Sequence, residues 1–255
     1  MEPRPYVLAE TNWKTTKDQE YEIAILPWGA TEAHNFHLPY GIDNIQSDYI
    51  AIESAKIAWE KGVKSMVLPC VPFGVNTGQL DIKFCINMNP STQHTVLIDV
   101  VDSLCVQGIK KILILNGHGG NDFKQSIREI QVDYPEIFLC TLDWWRIMDN
   151  EKYFSEPGDH AGEMETSNIM YINPDLALPV SEAGDGQTRN FKLKAIKEGW
   201  VWAQRKWTKI SDDTGVGNPK QATREKGQKF LEAVTNKIAG FLVELNSVRL
   251  EDLYE

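Results

Sequence analysis

The chain has 255 residues, with 26 basic side chains against 36 acidic ones and a formal charge of −10. That balance excludes the electrostatic footprint of a nucleic-acid or anionic-membrane binder, and no window approaches the roughly eighteen apolar residues that a membrane span requires. Met1-Glu2-Pro3-Arg4-Pro5 leads into no apolar signal core, so a cytoplasmic protein is expected.

The chain is long enough to bury a full core. No Pro/Gly/Ser-rich or single-sign stretch interrupts its middle and no repeat recurs, so residues 1–255 are read as one domain. Cys70, Cys85, Cys105 and Cys140 are widely spaced with no C-x-x-C pair and are read as packing thiols.

In chain order, Glu22 to Trp28 is an apolar run ended by Gly29, which predicts a buried strand. After a polar loop, Asp48 to Lys61 carries Tyr49, Ile50, Ile52, Ala55, Ile57, Ala58 and Trp59 at near-helical spacing, with Gly62 as a stop. Ser65 to Val71 predicts a second strand and Ser91 to Gln107 a second helix closed by Gly108. Lys111 to Asn116 is the clearest buried strand, followed by a helix from Asn121 to Val132 and a fourth strand from Ile137 to Leu142. Beyond Asp143 a helix is expected over His160 to Ile172 and another within Lys220 to Leu245, while residues 180–218 carry no decisive pattern. Strands alternating with helices predict a three-layer α/β/α fold with a mostly parallel central sheet, and ligands are expected at its carboxyl edge.

Three clusters at such junctions carry the chemistry. Thr31-Glu32-Ala33-His34 follows the first strand, with His37 and Asp43 after it; in extended chain Glu32 and His34 project to the same side, and Asp43 can fold back across the loop. Asn116-Gly117-His118-Gly119-Gly120-Asn121 follows the third strand. Gly158-Asp159-His160-Ala161-Gly162-Glu163-Met164-Glu165-Thr166-Ser167 is the third cluster, in which Asp159 is equally a helix cap and Glu163 a first-turn charge. Glu165 beside His160 is what a metal site or a proton relay uses. Packing does not need this many carboxylates and imidazoles at one sheet edge, whereas a divalent metal does, and mixed oxygen and nitrogen donors suit zinc, manganese or iron.

Gly29-Ala30-Thr31-Glu32-Ala33-His34 through Leu38-Pro39 and Asp43, then Asn116 to Asn121, then His160 to Ser167, resemble in this order the creatininase family of metal-dependent amidohydrolases over most of the chain. The resemblance implies a creatininase-like fold and a paired site for two divalent ions per chain. In it Glu32, His34, Asp43 and His118 are metal ligands, Asp43 bridges the ions, and Glu165 is a further ligand or a catalytic carboxylate. His160 matches the histidine that handles the substrate's proton, and His37 falls on a family histidine that stands behind the ligands. The substrate implied is a small molecule with a cyclic amide, formamide or related carbon–nitrogen bond, a peptide-type amide being the third choice left open, and the assembly implied is a homo-oligomer, by family habit a hexamer.

Creatininase itself carries a metal-binding glutamate where this chain has Gly120, which argues against creatinine; either Glu165 takes that donor's place or the second ion binds more weakly. Gly78-Gln79-Leu80-Asp81 and Asn87-Met88-Asn89-Pro90 also depart from many relatives, and Trp144 and Trp145 match an aromatic segment at the family's pocket, or else are a buried anchor. Two other functions compete. A nucleotide- or phosphate-binding domain would cradle its anion at Gly117 to Gly120, but the motif lacks the G-x-G-x-x-G order and a P-loop lysine. A catalytically inactive binding relative of the same fold would be expected to have lost ligand types that this chain retains.

Overall fold

In the computed structural model, which describes residues 3–254, the run after Glu22 forms strand β1 (Ile23–Trp28). Helix α1 (Ile42–Glu60), strand β2 (Ser65–Val67), helix α2 (Pro90–Val106), strand β3 (Lys111–Asn116), helix α3 (Lys124–Asp133) and strand β4 (Phe138–Asp143) follow. Two more long helices complete the chain, α4 (Glu163–Ile172) and α5 (Arg224–Ser247). The four strands are all parallel in the order β2-β1-β3-β4, with Trp28 level with Asn116 and Asn116 level with Asp143. Among the described residues no helix is long and apolar enough to cross a membrane.

Why β1 and β3 read as unbroken apolar runs is plain from their packing. Ile23, Ile25, Leu113 and Leu115 join a core with Ile50, Ala51 and Ala55 of α1 and Phe230, Leu231, Val234 and Ile238 of α5. Ala24, Leu26, Trp28, Ile112 and Ile114 join the opposite core with Leu97, Val101 and Leu104 of α2 and Ile130 of α3. A strand covered on both faces has no wet side, so its sequence does not alternate. The result is the expected three-layer α/β/α arrangement. Each large apolar side chain buried in it contributes about 1.5–3 kcal/mol, and truncating the fully buried Phe230 to alanine would cost about 3–5 kcal/mol.

Boundaries differ from the expectations where polar side chains are buried or where proline intervenes. The first helix begins at Ile42 rather than Asp48, which puts Asp43 in its first turn and not in a loop that folds back. Its buried face mixes Asp43, Gln46, Ser47 and Ser54 with Ile50 and Ala51, so no apolar stripe announces its first turns. Strand pairing of β2 stops at Val67, before Pro69, which has no N–H to give a ladder; Val71 makes only an isolated bridge to Trp28. The helix expected from His160 starts at Glu163, because His160 pairs in antiparallel fashion with Val216 and Ala161 takes a φ of 52°. Residues 180–218 contain a 3-10 turn at Val180–Glu182 and four-residue helices at Lys194–Lys197 and Trp207–Ile210.

This topology fixes where the chemistry can be. β1 connects through α1 to β2 on one side, and β3 connects through α3 to β4 on the other, so the chain diverges beyond the carboxyl ends of β1 and β3. That divergence opens the crevice in which doubly wound folds bind ligands. Glu32 and His34 leave β1 at this point, and His118 leaves β3.

Candidate metal centre

The amino end of α1 lies directly on the carboxyl ends of β1 and β3 because two glycines leave the sheet bare there. A Cβ at Gly29 would lie 2.8 Å from the Asn44 backbone nitrogen, and one at Gly117 would strike Ser47 Oγ and lie 3.0 Å from the Asp43 carbonyl oxygen. The first turn of α1 therefore brings Asp43 between the loops that follow β1 and β3. Its Oδ1 lies 3.1 Å from His34 Nε2 and its Oδ2 3.1 Å from His118 Nδ1.

Glu32 Oε1 approaches the same point, 2.9 Å from His118 Nδ1, 3.7 Å from His160 Nδ1 and 3.8 Å from His34 Nε2. Glu165, in the first turn of α4, enters from the other side, with Oε2 accepting from the Ala161 backbone N–H at 2.5 Å. All six side chains singled out from the sequence, Glu32, His34, Asp43, His118, His160 and Glu165, are thus brought together. They form three overlapping groups whose donor atoms lie within 4.8 Å of one another: Glu32, His34 and His160; Glu32, Asp43 and His118; His34, Asp43 and Glu165.

Each of the three imidazoles is aimed by its second nitrogen. His34 Nδ1 donates to the Glu32 carbonyl at 3.1 Å, His118 Nε2 to the Val75 carbonyl at 3.1 Å and His160 Nε2 to the Ala33 carbonyl at 2.8 Å. A carbonyl accepts only, so those nitrogens carry the protons, and the other nitrogen of each ring faces the carboxylates. This is the arrangement that fixes tautomer and ring plane in metal-binding histidines. His34 and His160 also stack, ring centroids 4.0 Å apart, and Trp207 packs on His160 at 4.6 Å.

The electrostatics demand positive charge. Glu32, Asp43 and Glu165 are 1%, 2% and 9% exposed, and among the described residues no lysine or arginine forms an ion pair with any of them. Three buried carboxylates without cations are costly, so protons gather where cations would sit. Burial opposes a charge on His34, yet Asp43, Glu165 and Glu32 raise it to about 10; His118 is likewise raised well above its ordinary value, against burial, by Glu32 and Asp43. Burial would lift the Glu32 carboxyl, but His118, His160 and His34 hold it well below the usual carboxylate range. Glu165 goes the other way, pushed by burial up to about 7 despite His34. His160, buried and facing the charge on His34, falls to about 4 and is neutral.

A divalent ion fits this donor set. His34 Nε2 and Asp43 Oδ2 are buried without a hydrogen-bond partner, although other donor and acceptor atoms are close by, as expected of atoms placed for a cation rather than for one another.

Other sequence-marked residues divide cleanly. His37 lies behind the cluster, its Nε2 2.9 Å from Thr166 Oγ1, and belongs to none of the donor groups. Asp159 does not cap α4, whose cap is Gly162 with no side-chain bond; it is exposed and accepts from Arg205 Nη1 at 2.9 Å, because the chain pairs with Val216 before the helix begins. Glu163 is a buried structural acid, held by Lys226 and by the Glu156 N–H at 2.8 Å. Trp144 is a buried anchor, 6.4 Å from Phe230, and it also borders the cavity beside Trp145 and Arg146.

Gly120 leaves no room for a side chain, since a Cβ there would meet the Val75 carbonyl oxygen and lie 2.5 Å from His118 Nε2. Gln79 lies in the Gly78–Asp81 stretch that departs from many relatives. Its buried amide donates to Glu32 Oε2 and accepts from Cys85 Sγ at 3.3 Å, so it fixes the face of Glu32 turned from the histidines. Arg205 and Trp207, which wall the site, lie in the stretch without pattern and gave no signal.

Comparison with known proteins agrees with this architecture. The chain is 43% identical to a protein from Bacteroides fragilis NCTC 9343 described as a candidate creatinine amidohydrolase, with a TM-score of 0.93 over 98% of this chain and 99% of that one. A variant creatininase solved in a Zn-Zn form shares the fold, with a TM-score of 0.80 at 19% identity over 96% of this chain and 100% of that one, and another creatininase is described with Mn. The mycofactocin precursor peptide peptidase of Mycobacterium tuberculosis is 22% identical over 224 residues, 83% of this chain and 81% of that protein. The sequence model of the creatininase family, described as creatinine amidohydrolase, matches residues 9–242. With that match spanning the strands, the crevice and every clustered donor, the chain belongs to the creatininase family.

Proposed function

We propose that the protein is a metal-dependent hydrolase that cleaves an amide carbon–nitrogen bond in a small molecule, with Glu32, His34, Asp43, His118 and Glu165 as the metal-holding residues. One observation carries this: three buried carboxylates, unpaired with lysine or arginine among the described residues, face three imidazoles whose outer nitrogens are already committed to backbone carbonyls. The donors favour two ions, because Asp43 belongs both to the group with His34 and Glu165 and to the group with Glu32 and His118, one oxygen toward each histidine. Zinc, manganese or iron suits such a mixed set. When bound, such ions polarise a carbonyl and lower the pKa of water from about 16 toward roughly 7.

The chain's own residues supply the rest. His160 has its Nε2–H fixed on the Ala33 carbonyl, and its Nδ1 faces the centre. It takes the proton of the attacking water and delivers it to the departing nitrogen, which is too poor a leaving group to depart as an anion. Glu165, where it does not hold an ion, shares that proton. Trp207 covers His160 and keeps bulk water from it. The cavity over the cluster, about 260 Å³, has the size for a small cyclic or linear amide. Creatinine is not favoured, since Gly120 has no space for the glutamate that creatininase carries there.

The test is a panel of small cyclic and linear amides with zinc- or manganese-loaded protein. At least one is expected to be hydrolysed, with activity lost on chelation and restored by metal. Activity that survives complete metal removal, or none with either metal, would overturn the proposal.

A further inference from the structure

Beyond the metal-holding side chains, the cavity is walled by Trp145, Arg146, Asn150, Asp159, Arg205 and Trp207. Arg205 also borders an adjoining cavity of about 160 Å³ that shares His118, Gly119 and Gly120 with the first. Its guanidinium lies over Trp207, 5.1 Å from the ring centroid, and Trp207 in turn rests on His160. The segment is tied down on either side of Trp207: Lys206 Nζ lies 3.3 Å from Asp81 Oδ2, and Thr208 Oγ1 donates to the same carboxylate at 2.8 Å. Arg205 is thus a mounted cation one aromatic ring away from the acid-base histidine.

That cation is underused. Of the five N–H groups of a guanidinium, one bond is made among the described residues, from Nη1 to Asp159 Oδ2. The carboxylates of the metal centre are buried against imidazoles and form no ion pair with it. Arg146, 5.9 Å from the Trp145 centroid and 3.5 Å from Asp143, adds a second positive group to the wall. In a chain of charge −10, guanidinium groups on the wall of an acid-floored cavity offset part of the repulsion that the floor exerts on an anion.

We propose that the substrate is an amide carrying a carboxylate close to the scissile bond, of the kind found in N-acylated amino acids, and that Arg205 selects it. The planar guanidinium fork matches a carboxylate in two parallel bonds, and a cavity of about 260 Å³ leaves room for one small anionic arm. This rests on the amidohydrolase function proposed above, but recognition and cleavage are separable.

The experiment compares two sulfonamides that resist hydrolysis, N-methanesulfonylglycine and N-ethylmethanesulfonamide, which differ in having a carboxylate or a methyl group. Their affinities are measured by titration calorimetry with zinc-loaded wild type, Arg205→Gln and Arg205→Lys. The acid is expected to bind wild type about tenfold tighter or better, Arg205→Gln to cut that preference to less than about threefold, and Arg205→Lys to keep part of it. The Arg205–Asp159 pair is exposed, so both variants are expected to fold, which their melting curves verify. Equal affinities in wild type, undetectable binding of both, or a preference undiminished in Arg205→Gln would overturn the proposal; the last would place the anion on the metal. Hydrolysis of N-acetylglycine and N-ethylacetamide is read separately. Acid-selective binding without cleavage of either would count against the amidohydrolase function alone.

Discussion

Replacing Gly120 by alanine, with Gly119→Ala beside it, tests how the loop around Val75 aims His118. A Cβ at Gly119 meets nothing within 4 Å, whereas one at Gly120 runs into the Val75 carbonyl oxygen and lies 2.5 Å from His118 Nε2. Those two atoms are acceptor and donor of the bond that orients the ring, so the methyl group must part them. Overpacking costs about 1–3 kcal/mol, loss of the bond about 1 kcal/mol more, and the stiffer unfolded chain offsets about 0.4–1 kcal/mol. The net destabilisation is about 1–3 kcal/mol. In a chain of this length each kcal/mol moves Tm by roughly 2–4 °C, so metal-free Gly120→Ala is expected to melt about 2–12 °C below wild type, with Gly119→Ala close to wild type. Zinc affinity of Gly120→Ala should fall roughly 10–100-fold, as when a ligand's supporting partner is removed. Scanning calorimetry and competition against a chromogenic chelator measure both quantities. Identical melting and identical zinc affinity in the two variants would refute the reasoning.

Zinc binding at pH 7 should release on the order of two protons per chain, because His34, raised to about 10, and His118, also raised, hold protons that an ion must displace. By the same linkage the stabilisation from His34 is complete below about 6.5 and is lost as pH rises through about 10. Over that window the metal-free protein should weaken while zinc affinity climbs; a calorimetric enthalpy independent of buffer ionisation would contradict this. His160→Ala should lose about 10²–10⁴-fold in turnover with metal content by elemental analysis unchanged, and a wild-type rate would remove His160 from proton transfer. Lys226→Met should cost about 3–5 kcal/mol in urea unfolding by stranding the buried Glu163, and adding Glu163→Gln should recover most of it; no recovery would show that the charge is not the cause.

Much of this was legible in the sequence because the informative residues sit where strands end. Buried strands announce themselves as apolar runs, and side chains that follow them in parallel register must meet at one edge, so Glu32, His34 and His118 could be gathered from order alone. Asp43 was harder. Its helix buries Gln46, Ser47 and Ser54 beside small residues, which hides the periodicity that would have extended the helix back to Ile42. Arg205 and Trp207 were beyond reach, because their placement depends on pairing at a distance, such as Val216 with His160 and Ser211 with Thr188, which local patterning does not encode. Gln79 looked like a mere departure because an amide gives no metal signal; its role appears only when Glu32 Oε2 is seen to need a donor.

The bare positions at Gly29 and Gly117 bear on how this enzyme can fail. Since Asp43 reaches both histidines only while nothing projects from those two strand ends, a single methyl at either would tilt the helix and pull the shared carboxylate off its mark with every donor still encoded. Defective alleles of this protein would then include some that look untouched when only the ligand positions are inspected.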